Sequence, residues 1–100
     1  MTRLQIVEGI GPKVEEALNS AGIYTWGDIH GAGVEKLTEI LAGAGLGAQK
    51  PATWPQQAQL ADEAKWEELV ALQKRLDGGV DTGKTDDSPA KVTKFLEKIK

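Results

Sequence analysis

Residues 7 to 18 read VEGIGPKVEEAL, with a glycine on each side of one isoleucine and with proline and lysine directly after them. Beyond Pro12, apolar residues stand three and four positions apart, which is the spacing of one helix face. Glycine permits the abrupt backbone reversal that a very short connection between two helices requires. Proline suits the first turn of a helix, because its missing N–H has no partner there. The stretch therefore predicts a helix, a tight hairpin and a second helix.

Helical patterns continue along the chain, whereas alternating strand patterns are short. Thr25 and Asp28 resemble a capping box at the start of a third helix, which Gly31 and Gly33 interrupt. A fourth helix is predicted over Val34 to Leu41, followed by a glycine-rich segment. Together with the patterns further along, these predict an all-α bundle of about five to six helices.

Residues 54 to 77 carry further helical patterns, and the sequence leaves open whether they form one helix or two that bend near Asp62. Residues 78–88 are rich in Gly, Asp, Thr and Lys and are predicted to be a flexible linker. Residues 89–100 predict a basic amphipathic helix that docks on the body, pairs with a partner or frays. The body is residues 1–77, in which two extra helices follow the two hairpins.

Charge is spread unevenly along the chain, whose formal net charge is −3. Residues 1–77 hold 7 Lys/Arg against 11 Asp/Glu, which is −4, and residues 78–88 hold one lysine against three aspartates, which is −2. Residues 89–100 hold four lysines against one glutamate, which is +3. This balance argues against a strongly basic surface, so any nucleic-acid binding would be local. The candidate phosphate contacts in the tail are Lys91, Lys94 and Lys98.

An internal repeat relates two glycine-containing segments, EGIGPKVEEALNSAG and HGAGVEKLTEILAGAG. The first pairs match at an offset of 22 residues, and they are Gly9 with Gly31 and Gly11 with Gly33. The later pairs match at an offset of 23, and they are Val14 with Leu37, Leu18 with Leu41 and Gly22 with Gly45. The repeat predicts two similar hairpins, the second with one extra residue.

The first hairpin has the features of an anion site. Its helix begins at Pro12, so the N–H groups of the first turn lack partners and the positive end of the helix dipole lies beside Lys13. Ile10, between the two glycines, is predicted to point inward as an apolar plug. Such an edge can bind a phosphate without a basic surface around it.

Residues Leu4 to Ile29, LQIVEGIGPKVEEALNSAGIYTWGDI, resemble the helix-hairpin-helix motif. The pair of hairpins resembles the tandem form of that motif in DNA repair nucleases, ligases, polymerases and recombination accessory proteins. The likeness covers residues 3 to about 45. The matched positions are Leu4 and Val7, then Gly9-Ile10-Gly11, Pro12 and Lys13, then Ala17, Leu18 and Gly22-Ile23.

In that family the hairpin amides contact nucleic-acid phosphates without sequence preference, and some members bind a monovalent cation through hairpin carbonyls. The resemblance implies such a cation at Gly9–Gly11 and no other cofactor. It also implies phosphate contacts at Gly9, Ile10, Gly11, Pro12 and Lys13. The second hairpin offers the weaker sites Gly31 and Gly33, because Val34 and Glu35 stand where the first copy has proline and lysine.

A second likeness covers the middle of the chain. Thr53 to Gly79 is similar to a small bacterial helix-hairpin-helix family, some members of which are fused behind a large-subunit ribosomal protein.

Catalysis is not expected, nor is a small-molecule substrate. The chain has no cysteine and a single histidine, His30, so neither a thiol nucleophile nor a zinc site is expected. Residues 79–85, GVDTGKT, lack the first glycine of a P-loop and follow no predicted strand. The sequence shows no signal segment and no long apolar run, which predicts an unprocessed cytoplasmic protein with no membrane partner.

These patterns predict a non-catalytic module that binds DNA or RNA backbone weakly, without sequence preference, through the first hairpin. The alternative is a protein-interaction or assembly module, with ribosome association as one option, that keeps the fold without binding nucleic acid. Trp54 and Phe95 are the candidate exposed contact residues for that alternative.

Overall fold

The computed structural model describes residues 3–77, 80–81 and 89–98. Most of the regular structure in these ranges is helical, as predicted. None of the described helices has the length and apolar character needed to cross a membrane. The helices are the 3₁₀ turns η1 (Leu4–Ile6) and η2 (Pro51–Thr53) and the α-helices α1 (Pro12–Ser20), α2 (Trp26–Gly43), α3 (Trp54–Asp62), α4 (Trp66–Gln73) and α5 (Pro89–Lys98). The strands are β1 (Leu76–Asp77) and β2 (Val80–Asp81).

The segment before the first hairpin is shorter than predicted. It forms the single turn η1 instead of an α-helix. Leu4, Ile6 and Val7 are all buried there. A 3₁₀ turn has three residues per turn, so positions i and i+3 lie one above the other, and Leu4 and Val7 can be buried together at its two ends.

Element α2 contains two helical segments, the predicted third and fourth helices, which are separated by a kink. It begins with the predicted capping box, in which the Asp28 amide donates to Thr25 Oγ1 at 3.0 Å and the Thr25 amide donates to Asp28 Oδ2 at 3.1 Å. The kink lies at Gly33, where φ is 81° and ψ is 167°. Glycine alone reaches this backbone region readily, so the direction of the helix changes there without steric strain.

The internal repeat is visible at the helix C-termini. After α1, Gly22 has φ 90° and the Ile23 amide donates to Leu18 O at 2.8 Å. After α2, Gly45 has φ 75° and the Leu46 amide donates to Leu41 O at 2.8 Å. Both are Schellman motifs with glycine in the left-handed position. The predicted equivalence of the two copies is confirmed at these ends.

Residues 54 to 77 contain two helices. Helix α3 ends in a third Schellman motif, in which Ala64 has φ 56° and the Lys65 amide donates to Leu60 O at 2.8 Å. Helix α4 then begins at Trp66. A helix predicted to run to Asp77 stops at Gln73, because Leu76–Asp77 pair with Val80–Asp81 in an antiparallel ladder. Part of the predicted linker is therefore paired, and its residues 78–79 and 82–88 lie outside the described residues.

The core lies where α2 packs against α3, with α1 and α4 on either side. Its largest buried side chain is Trp54. Helix α5 packs against α4 and η1, and Phe95 is buried in that contact. The tail helix is thus docked on the body. The other fully buried apolar side chains include Leu4, Ile6, Leu18, Ile29, Leu37, Leu41 and Leu69.

Candidate nucleic-acid interface

A four-residue turn forms the first hairpin. The Ile10 amide donates to Val7 O at 3.1 Å, which closes the turn, and Gly9 at its third position has φ 106°. A type II turn requires a positive φ at that position, where a Cβ would be strained. The sequence pattern therefore predicted the reversal correctly, and Gly9 is the residue that permits it.

Helix α1 starts directly after this turn without a side-chain cap. Gly11 is the N-cap residue, Pro12 has no N–H, and the amides of Lys13 and Val14 have no hydrogen-bond partner among the described residues. The first amide with a partner is that of Glu15, which donates to Gly11 O at 2.9 Å. Two first-turn donors are therefore free at the positive end of the helix dipole.

The five predicted contact residues differ in what they present to solvent. Pro12 and Lys13 are exposed, and Gly9 and Gly11 are partly exposed. Ile10 is only 5% exposed and belongs to the core, as the plug interpretation predicted. Only the backbone of Ile10 is thus available to a ligand at this edge.

The three glutamates that lie near the first hairpin in the sequence differ in exposure. The Glu8 side chain is buried. Glu15 is partly buried and accepts a hydrogen bond from Gln5 Nε2 at 3.2 Å. Glu16 is exposed and lines, with Lys13 and Glu39, an open groove of about 540 Å³ between α1 and the second half of α2. Lys13 therefore shares this groove with two carboxylates, whereas Gly11 and Pro12 are not among its lining residues.

The second glycine pair does not form a comparable turn. Gly31 lies within α2, and Gly33 is the kink residue that precedes Val34. Val34 and Glu35 are exposed where the first copy has proline and lysine. The predicted break between the third and fourth helices is confirmed at Gly33, but the second hairpin differs from the first, because Gly31 keeps helical backbone angles and only Gly33 departs from them.

Two buried glutamines, which the sequence reasoning did not identify, hold the first hairpin. Gln57 on α3 is 0% exposed and pairs with the backbone N–H and C=O of Glu8. Gln73 at the end of α4 is 4% exposed and donates to Ile6 O at 2.6 Å. A sequence signal existed for Gln57, which lies three residues after Trp54 and four before Ala61 on the apolar stripe of α3.

The two residues predicted as exposed protein contacts are buried. Trp54 is 0% exposed and Phe95 is 4% exposed, so that assignment is wrong. Both fill the core because a small helical domain has few other bulky side chains for it. The exposed aromatic residues are instead Tyr24 and Trp66, with exposed fractions of 60% and 38%. Trp66 stacks edge-on against Trp26, with ring centroids 5.8 Å apart.

The hairpin carbonyls give a limited set of ligands for the cation that the resemblance implies. Glu8 O accepts from the Gln57 side chain and Gly11 O accepts from Glu15. This leaves the carbonyls of Gly9 and Ile10 as hairpin oxygens with no partner in the described part of the chain. The cation stays a prediction, and no step of binding is derived from it.

The tail lysines lie on the docked helix α5. Lys91, Lys94 and Lys98 fall within its bounds, but their side chains lie outside the described residues. Their predicted contact with phosphate stays a prediction. The helix backbone itself packs against η1, the turn that leads into the first hairpin.

The tight glycine turn, the uncapped helix behind it and the repeated helix ends define a helix-hairpin-helix protein. The chain belongs to the RS2/RL21/YNQ2 HHH domain family, whose model matches residues 4–62, where HHH denotes helix-hairpin-helix. Domains of this class commonly bind nucleic acids or proteins. The match ends with α3, so α4, the strand pair and α5 lie beyond it. Comparisons with curated proteins and with solved structures gave no significant match.

Proposed function

We propose that this chain is a non-catalytic module that binds nucleic-acid backbone weakly, without sequence preference, through Gly9 to Lys13. The observation that carries the proposal is the uncapped start of α1, where the amides of Lys13 and Val14 have no hydrogen-bond partner among the described residues and the Lys13 side chain is exposed. Backbone donors at a helix N-terminus bind phosphate oxygens irrespective of the base sequence. With the chain's net charge of −3, one such edge gives weak binding.

An NMR titration tests this proposal directly. A short DNA duplex and a structured RNA are added separately to the folded protein, each at low and at moderate salt. We expect the amides of Gly9, Gly11 and Lys13 to shift together, and the effect to fade as salt rises. Amides that stay unchanged with both nucleic acids would rule the proposal out.

Charge reversal at the hairpin gives a matched second test. Lys13→Glu is expected to weaken binding about five- to tenfold at low salt, because it removes one phosphate contact and adds a repulsive charge. Lys50→Glu is the control, since Lys50 is also exposed and makes the same change in net charge away from the hairpin. Equal losses in the two variants would mean that only overall charge matters.

A protein-interaction module is the second candidate, and the exposed aromatic pair favours it. Trp66 is partly exposed beside Trp26, and aromatic residues are enriched in protein interfaces. The RS2 and RL21 designations of the family hint at a ribosomal setting for such a partner. Under this candidate Trp66→Ala would abolish partner binding, while Lys13→Glu would leave it unchanged.

A further inference from the structure

We infer that the buried pair Gln57 and Gln73 positions the first hairpin for phosphate contact. The inference rests on the proposed function of that hairpin and concerns residues that do not reach its surface. Gln57 is 0% exposed and Gln73 is 4% exposed, so neither side chain can touch a nucleic acid. Any effect of these glutamines on binding must therefore pass through the backbone that they hold.

The side-chain amide of Gln57 makes four hydrogen bonds, two of them to the backbone of Glu8. Its Oε1 accepts from the Glu8 amide at 2.6 Å and from Gln73 Nε2 at 2.9 Å. Its Nε2 donates to Glu8 O at 3.1 Å and to Thr53 Oγ1 at 3.2 Å. A glutamine amide has two donor hydrogens and two acceptor lone pairs, so all four are engaged. The side chain is thereby fixed in one orientation.

The pairing ties backbone that lies between two helices to a third helix. Glu8 lies between η1 and α1, and both its backbone N–H and its C=O bond to the Gln57 side chain on α3. Buried backbone groups without partners destabilise a fold, because they lose their bonds to water and gain none in exchange. Gln57 satisfies both groups at once, much as a neighbouring strand would. Gln73 adds a third bond, to Ile6 O, on the other side of Val7.

These bonds determine where the hairpin points. Residues 6 and 8 are held to α4 and α3 respectively, and Gly9 follows immediately with its positive φ. The turn that Ile10 closes on Val7 therefore starts from fixed backbone. The free amides of α1 follow this turn within four residues, so their direction depends on helices that come more than 40 residues later in the chain.

The substitution Gln57→Met tests the inference, because it keeps the length of the side chain and removes all four bonds. Gln56→Met is the matched control, since Gln56 is exposed on the same helix. Leu72→Ala is a second control, which destabilises the fold through a buried residue that lines the α3–α4 groove. Amide hydrogen exchange of the free protein is measured for each, followed by affinity for a short DNA duplex at low salt.

In Gln57→Met we expect the protection of the Glu8 and Ile10 amides to fall about tenfold more than that of Leu37 in α2, because the opening is local. We expect duplex affinity to fall about five- to tenfold at a temperature where the variant is fully folded. Gln56→Met should change neither quantity. Leu72→Ala should lower protection evenly and leave affinity unchanged.

An even loss of protection in Gln57→Met, like that of Leu72→Ala, would overturn the inference, because the glutamine would then only stabilise the fold. If Gln57→Met does not fold, Gln73→Met supplies the same comparison, since it removes only the bonds to Ile6 and Gln57. The exchange experiment contains no nucleic acid. It therefore decides whether the glutamines hold the hairpin even if wild-type protein fails to bind DNA and RNA and the proposed function falls.

Discussion

The two glycine pairs of the repeat differ in which glycine has a positive φ. In the first pair the positive φ belongs to the first glycine, Gly9, and in the second pair it belongs to the second, Gly33. Gly11 has an extended backbone with φ −101°, and Gly31 lies within a helix. The first pair therefore closes a four-residue turn, whereas the second separates two helical segments at Gly33 alone. A Gly-x-Gly spacing thus marks where the backbone changes direction and does not specify how.

The helix ends of the two copies, in contrast, agree closely. In each copy the second helix ends in a Schellman motif with glycine in the left-handed position. The hydrogen bond that closes the motif is 2.8 Å long in both, from the Ile23 amide to Leu18 O and from the Leu46 amide to Leu41 O. The glycine segments at the starts of these helices have diverged in both charge and geometry. The two copies thus end their second helices in the same way. Only the first has the four-residue turn and the lysine, Lys13, on which the proposed phosphate contact depends.

The strongest test of the comparison substitutes the glycines themselves. Gly33→Ala should destabilise the protein by about 1–3 kcal/mol, because its φ of 81° and ψ of 167° lie in a region that is nearly restricted to glycine. Gly11→Ala should destabilise by less than about 1 kcal/mol, because its backbone is extended and a Cβ there meets open space, so that only the preference for glycine over alanine at an N-cap is lost. Urea unfolding followed by circular dichroism measures both.

Gly31→Ala completes this set. A helical glycine with open space around its Cβ position should gain up to about 1 kcal/mol on replacement by alanine. If Gly31→Ala proved as damaging as Gly33→Ala, the second pair would form a true hairpin in solution and the contrast between the copies would disappear.

A smaller effect is expected at the ends of the helices. Gly22→Ala and Gly45→Ala should each destabilise by about 1 kcal/mol, and by similar amounts, because both place a Cβ in the left-handed region. Ala64→Gly should do the reverse and stabilise by up to about 1 kcal/mol, since Ala64 already has φ 56° there. Thermal and urea unfolding of the three variants checks the signs. A loss of stability in Ala64→Gly would contradict this account.

Much of this architecture was readable from single residues. The glycines marked the first turn and both repeated helix ends, and Thr25 with Asp28 marked the start of α2. Ala64 also has a left-handed backbone, but an alanine gives no such signal in a sequence. The sequence therefore leaves open whether a helix ends after α3. The bonds of Gln57 were also hidden, because they join residues 49 positions apart and depend on how α3 meets the hairpin.

The charge difference between the copies gives a binding prediction. Glu35→Lys gives the second copy the basic residue that the first has at Lys13, and it should raise duplex affinity about threefold and steepen the salt dependence by about one unit of slope. Glu67→Lys is the control, since Glu67 is exposed on α4, outside both copies of the repeat. Equal gains in the two variants would show a general charge effect. No gain in either would show that the bend at Gly33 cannot present a phosphate site.

The smallest effect concerns the capping box, which α2 has and α1 lacks. A hydrogen bond from the Tyr24 amide, with further contributions from the Thr25 side chain and amide, lowers the pKa of Asp28. Since the folded pKa lies below the unfolded one, the charged carboxylate stabilises the fold above the unfolded value of about 3.9, and this contribution is lost as pH falls through the folded value. Asp28→Asn keeps an acceptor oxygen but cannot titrate. In urea midpoints measured from about pH 7 to pH 3, wild type should therefore exceed Asp28→Asn by a constant margin at the upper end and lose that margin below about pH 4. A margin that stays constant down to the lowest pH would mean that the Asp28 charge does not stabilise the start of α2, and the two copies would then differ there only in hydrogen bonding.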